Sequence, residues 1–158
     1  MITVRVICVG KLKEAYLRAA CEEYVKRLGA FCRIEVMELS EHRLPENPSP
    51  AQIVQGLDAE GQAILQRCTG VLSALCIEGK ALSSPELAEW MTRQALSGRS
   101  ELDFVIGSSW GLGEEVKGRA SLRLSMSPMT FPHQLARVML LEQIYRAFQI
   151  NSGGKYHK

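Results

Sequence analysis

Short β-branched stretches alternate with segments of helical spacing all along this chain, and few folds accept that pattern. Ile2 to Val9 is a β-branched run that stops at Gly10, which predicts a strand. Tyr16, Leu17, Ala20, Tyr24 and Leu28 then recur at helical spacing up to Gly29, which predicts a helix with these residues inward. Phe31 to Leu39 alternates and predicts a second strand with Ile34, Val36 and Met37 turned in. The proline-bearing stretch Ser40 to Pro50 reads as irregular. Ala51 to Cys68 has helical spacing, opened by Ser49-Pro50. Val71 to Ile77 predicts a third strand closed by Glu78-Gly79-Lys80. Ser83-Ser84-Pro85-Glu86 opens a helix to Leu96, with a serine cap and proline in the first turn, and with Leu87, Trp90, Met91 and Ala95 inward. Leu102 to Ile106 is a fourth strand, Gly113 to Ala120 a short helix, and Leu122 to Met126 a fifth strand. A last helix runs from His133 to Ile150, ahead of the polar tail Asn151 to Lys158. Strand and helix in alternation predict one α/β domain with a mainly parallel sheet.

Composition bounds what such a domain can do. At 158 residues the chain is one domain long and able to bury a full core. No apolar run approaches the roughly 20 residues of a membrane span, and the N-terminus lacks a signal-peptide layout, so a cytoplasmic location is expected. Cys8, Cys21, Cys32, Cys68 and Cys76 form no CxxC pair and read as buried free thiols, with no metal site. A net charge of +2 does not by itself indicate nucleic acid. Basic residues do gather near both ends: Lys11, Lys13, Lys26, Arg27 and Arg33 at one, Arg137, Arg146, Lys155 and Lys158 at the other. They fit a solvated surface, or a basic groove formed by two copies.

The candidate chemistry lies where strands end in small residues. The segments Ala74 to Lys80, Phe104 to Gly111 and Leu124 to His133 each leave a strand, and Gly and Ser there allow main-chain groups close to a ligand. Met126, Met129 and Phe131 are apolar outside any regular pattern, as an adenine slot requires, and Pro128 and Pro132 stiffen their loop. GxGxxG, GxxxxGK[ST], HExxH and GxSxG are all absent. Ser108-Ser109 has no evident histidine–aspartate partner for nucleophilic chemistry. The last helix is apolar around much of its circumference through Leu135, Val138, Met139, Leu141, Ile144, Tyr145 and Phe148, which invites a partner subunit.

The start Val6 to Lys13, the strand end Leu75 to Lys80, the Phe104 to Leu112 loop, Ser127 to Gln134, Arg137 with Glu142 to Ala147, and the terminal Tyr156-His157-Lys158 together resemble the ribosomal RNA large subunit methyltransferase H family, of the SPOUT class. The likeness covers essentially the whole chain. One departure is visible: the family commonly reads Ile-Gly-Gly where this chain has Ile106-Gly107-Ser108, and a backbone angle needing glycine would be strained at Ser108. The resemblance implies a C-terminal trefoil knot and S-adenosyl-L-methionine as methyl donor. It implies cofactor contacts at Leu75, Gly107, Met126, Ser127, Pro128, Met129, Thr130 and Phe131. It further implies a homodimer acting on N3 of a pseudouridine in 23S rRNA, on the ribosome or large subunit, with neither DNA nor membrane as partner. The tail of one subunit would help complete the other's site.

Within that expectation, His157, Tyr156 and Arg137 are the candidate catalytic residues. The N3 proton could pass to His157, His133, a water or no protein group. Arg137 is the candidate for RNA phosphate, and Arg146 for a pair with Glu142 four residues earlier. His133 fits a helix cap as well as a site role. Trp110 fits either a stack on a base or packing beneath the cofactor. The same cofactor site acting on another RNA, such as tRNA, and a non-catalytic ribosome-binding module are the competing readings.

Overall fold

A computed structural model describes all of Met1–Lys158. Its elements are β1 (Thr3–Val9), α1 (Ala15–Leu28), β2 (Arg33–Leu39), α2 (Pro50–Arg67), β3 (Val71–Ala81), α3 (Ser84–Leu96), β4 (Glu101–Ile106), α4 (Glu114–Arg119), β5 (Leu122–Ser125) and α5 (His133–Asn151). The five strands form one parallel sheet in the order β2-β1-β4-β3-β5, as the α/β pattern predicts. Parallel strands need crossovers, so helices cover both faces.

Alternate residues of β1 show how the core divides. Val4, Val6 and Cys8 face α1, α3 and α5, and pack with Leu17, Leu28, Leu87, Met91, Leu140, Leu141 and Ile144. Ile7 and Val9 face α2 and α4, and pack with Ile64, Leu112 and Val116. Phe104 is central to the first layer, with Trp90 set edge-on to its ring at 6.2 Å. Both serine-proline helix starts form full capping boxes: Ser49 with Gln52, and Ser83 with Glu86.

Several expectations are corrected. Tyr16 and Ala95 point to solvent, and α1 buries Leu17, Cys21 and Leu28. Val36 is also exposed, on the edge strand β2. β3 does not stop at Glu78. It runs on to Ala81, with a shift in register that brings Lys80 opposite Leu124 after Leu75 has paired there. Gly79 permits this, since a Cβ at that position would lie 2.6 Å from the Arg123 carbonyl oxygen. The apolar breadth of α5 is largely met within the chain, because α1 and α3 flank it and β4 lies beneath.

Candidate functional site

The carboxyl ends of β3, β4 and β5 converge, and three loops there enclose a cavity of about 310 Å³. That is the lower end of the range for small-molecule sites, about 300–1,000 Å³. The β4 turn is the tightest wall. Its Gly111 N–H donates to the Ser108 carbonyl at 2.9 Å, and Gly111 holds a φ of +90° that other residues rarely adopt. Gly107 packs so closely on the Gly111 carbonyl that a side chain there would displace it. The feared strain at Ser108 does not arise, because no residue other than glycine has a positive φ.

The third loop is stiffened by its own serines. Ser127 Oγ accepts from the Met129 N–H at 3.0 Å, and Ser125 Oγ donates to the Ser127 carbonyl at 3.2 Å. Of the candidate cofactor residues, Leu75, Gly107, Met126, Ser127, Met129, Thr130 and Phe131 line the cavity, while Pro128 does not. Trp110 and Met129 stand exposed at its rim. The rim also carries an ion pair absent from the sequence reading: Lys117 Nζ lies 2.6 Å from Glu78 Oε1. Hydrogen bonding to Lys117 holds the Glu78 carboxyl below its usual range, and the same bond raises Lys117. A residue thirty-nine places away cannot be matched to Glu78 by local spacing.

The remaining candidates fall outside this cavity or only reach its edge. His133 is the first residue of α5, after the N-cap Pro132, and lines the cavity. Arg137 is only 3% exposed and turned inward. Its Nη1 lies 2.6 Å from Glu38 Oε2, and its Nη2 donates to the Gly10 carbonyl at 3.0 Å. In the single chain, then, Arg137 ties the turn after β1 and the end of β2 to α5.

The tail folds back on α5. Tyr156 sets its ring edge-on to Tyr145 at 4.9 Å and lies under the Arg146 guanidinium at 4.7 Å. Arg146 pairs with Glu142 as expected, at 2.6 Å, and its Nη1 is 3.2 Å from His157 Nδ1. Arginine has only donors, so Nδ1 is the acceptor in this contact. Arg146, Glu142 and Tyr24 border a second cavity of about 600 Å³, between α3, β5 and α5, which shares Met126 with the first. The tail therefore sits beside the second cavity, and neither Tyr156 nor His157 lines the first.

A parallel sheet with ligand-sized space at its carboxyl edge, bordered by the β4 and β5 loops, has its cavity where open α/β folds bind their ligands. The family model described as "Predicted SPOUT methyltransferase" matches residues 2–157. The relatives are closer still. The chain is 48% identical to the ribosomal RNA large subunit methyltransferase H of Clostridioides difficile (strain 630), across 99% of this chain and 100% of that protein. It is 45% identical to the same-named protein of Oenococcus oeni, across 100% of both. The chain belongs to the ribosomal RNA large subunit methyltransferase H family, within the SPOUT class. A probable methylase family protein of Haemophilus influenzae shares the fold at a TM-score of 0.54, with 12% identity over 98% of this chain and 70% of that one.

Proposed function

We propose that the protein is an S-adenosyl-L-methionine-dependent methyltransferase acting on N3 of a pseudouridine in 23S rRNA, within the ribosome or large subunit, in the cytoplasm. One observation carries the cofactor half of the reading. Residues drawn from three separate loops, Leu75, Gly107 and Met126 to Phe131 apart from Pro128, line a single cavity. The residues present fit an adenosyl group: thioether and ring side chains for the base, close main chain for the sugar, and a rim ion pair for a zwitterionic end. Full-length identity to relatives named for large-subunit RNA supports the substrate half.

The bound cofactor supplies an electrophilic methyl group on a sulfonium. The chain's residues have to hold the acceptor nitrogen in line with it and accept the N3 proton. His133 lies at the cavity, and His157 on the tail is the second candidate base. Because His157 and Tyr156 stand away from the cavity of their own chain, a homodimer in which one tail completes the partner's site is part of the proposal. The exposed flank of α5, with Leu135 39% exposed, is the surface we assign to that pairing. The same reading includes the trefoil knot, with α5 threaded through the preceding loop, and it is supported by the start of α5, His133 and Ala136, lining the same cavity as the β4 turn.

Titration calorimetry with S-adenosyl-L-methionine tests the cofactor half, and absence of heat would favour a non-catalytic binding module. Mass spectrometry of nucleosides tests the substrate half. Ribosomal and transfer RNA from a strain lacking the gene should be analysed separately, with N3-methylated pseudouridine missing from ribosomal RNA alone.

A further inference from the structure

Ser108 is 6% exposed and lines the first cavity, yet no protein atom lies within hydrogen-bonding reach of its hydroxyl. Buried hydroxyls nearly always have a partner, and one without it costs free energy that a suitable ligand atom restores. The Ser73 hydroxyl is also unpartnered and 2% exposed, but it belongs to β3 and borders no cavity wall. The third unpartnered atom, Arg137 Nε, belongs to a guanidinium already held by Glu38 and the Gly10 carbonyl, so of the two hydroxyls Ser108's is the one beside the first cavity. The oxygen itself has almost no exposed surface, and rotation about one bond to another staggered position, roughly 120° away, is what presents the donor to the cavity.

We propose that Ser108 is a specificity-determining contact whose hydroxyl hydrogen-bonds the nucleoside part of the ligand in this cavity, an inference that rests on the adenosyl reading above. The cavity's own gradient selects the nucleoside. Ile106, Gly107, Ser108 and Leu112 form a buried floor, whereas Trp110, Met129 and the Glu78–Lys117 pair stand at the exposed rim. A charged amino-acid end stays with the rim and water, because desolvating it is costly. The uncharged nucleoside, with its flat base, is the part that reaches the floor.

The test compares the full-length wild type with Ser108→Ala, Ser108→Gly and Ser73→Ala, by calorimetry with S-adenosyl-L-methionine and with 5′-methylthioadenosine, and by thermal melting without ligand. Both Ser108 variants should bind both ligands about three- to tenfold more weakly. Ser108→Ala should melt no lower than wild type when free, since no protein bond is lost, and Ser73→Ala should bind as wild type does. Unchanged affinity in the Ser108 variants overturns the proposal, as does an equal loss in Ser73→Ala. A lower melting point for free Ser108→Ala overturns it too, by revealing a protein partner. A loss confined to S-adenosyl-L-methionine overturns the assignment to the nucleoside. If wild type itself binds neither compound, the adenosyl reading of the cavity falls and takes this contact with it.

Discussion

The Arg137 guanidinium, buried at the start of α5, lies 2.6 Å from the Glu38 carboxylate at the end of β2, ninety-nine residues earlier in the chain. Burial pushes the Glu38 carboxyl up. The Arg137 hydrogen bond, the Leu12 N–H and the charges of Arg137 and Lys11 outweigh it, and the group is held below its ordinary range. The pair fastens α5 to the far side of the sheet from β5, and so helps fix where the cavity's α5 wall stands.

Replacing Glu38 by leucine should therefore destabilise the protein by about 1–3 kcal/mol. A fully buried charge stripped of its partner loses more, and the discount reflects the water that reaches Glu38. Denaturant unfolding measures it, and an effect near zero would mean that Arg137 finds another partner.

The same pair predicts a pH dependence with a definite sign. A carboxyl whose folded value lies below its unfolded value, about 4.3, contributes its full stability above that pH and loses it as pH falls through the folded value. The stability gap between wild type and Glu38→Gln should be constant near neutrality and shrink in acid. A gap that widens on acidification would reverse the assignment.

Gly79 should tolerate no side chain. Alanine there meets the Arg123 carbonyl, so Gly79→Ala should cost about 1–3 kcal/mol and Gly79→Val more. Because Leu75 and Glu78 on the same strand line the cavity, ligand affinity should fall along with the melting temperature. Retention of both would show that the β3–β5 register adjusts freely.

The thiols should be sluggish. Burial pushes Cys8 up to about 12, and Cys32 and Cys68 to about 11. The thiolate is the reactive form, so alkylation of native protein at mildly alkaline pH should leave Cys8 and Cys32 unlabelled, with both labelled after unfolding. Peptide mass spectrometry reads the outcome directly, and rapid labelling of native Cys8 would contradict its burial.

Truncation after Ile150 removes Tyr156 and His157 while sparing every residue of the first cavity. Methyl transfer to large subunits should be abolished, and calorimetric affinity for S-adenosyl-L-methionine should stay within about twofold, as expected where no contact is lost. Undiminished methylation would remove the tail from the mechanism.

Much of this was legible from residue order, because periodicity and capping are local. The strand and helix pattern, both serine-proline helix starts, the Arg146–Glu142 pair and the small-residue strand ends each depend on neighbours a few positions apart. The loops that line the cavity were legible for the same reason, since ligand-facing turns need small or apolar residues wherever they fall. Three features were decided only by the folded chain. Arg137 looked like a free cation on a helix, but burial against Glu38 and the Gly10 carbonyl makes it a fastening inside the protein. Asp103, within an apolar strand, is wholly buried and accepts from Arg5 and from the Thr69 and Gly70 N–H groups. The Ser108 hydroxyl acquires its meaning from having no protein partner beside a cavity. Helical and strand spacing follow from the geometry of one segment, whereas a charge's partner or a hydroxyl's lack of one follows from which distant segments meet, and only packing of the whole chain determines that.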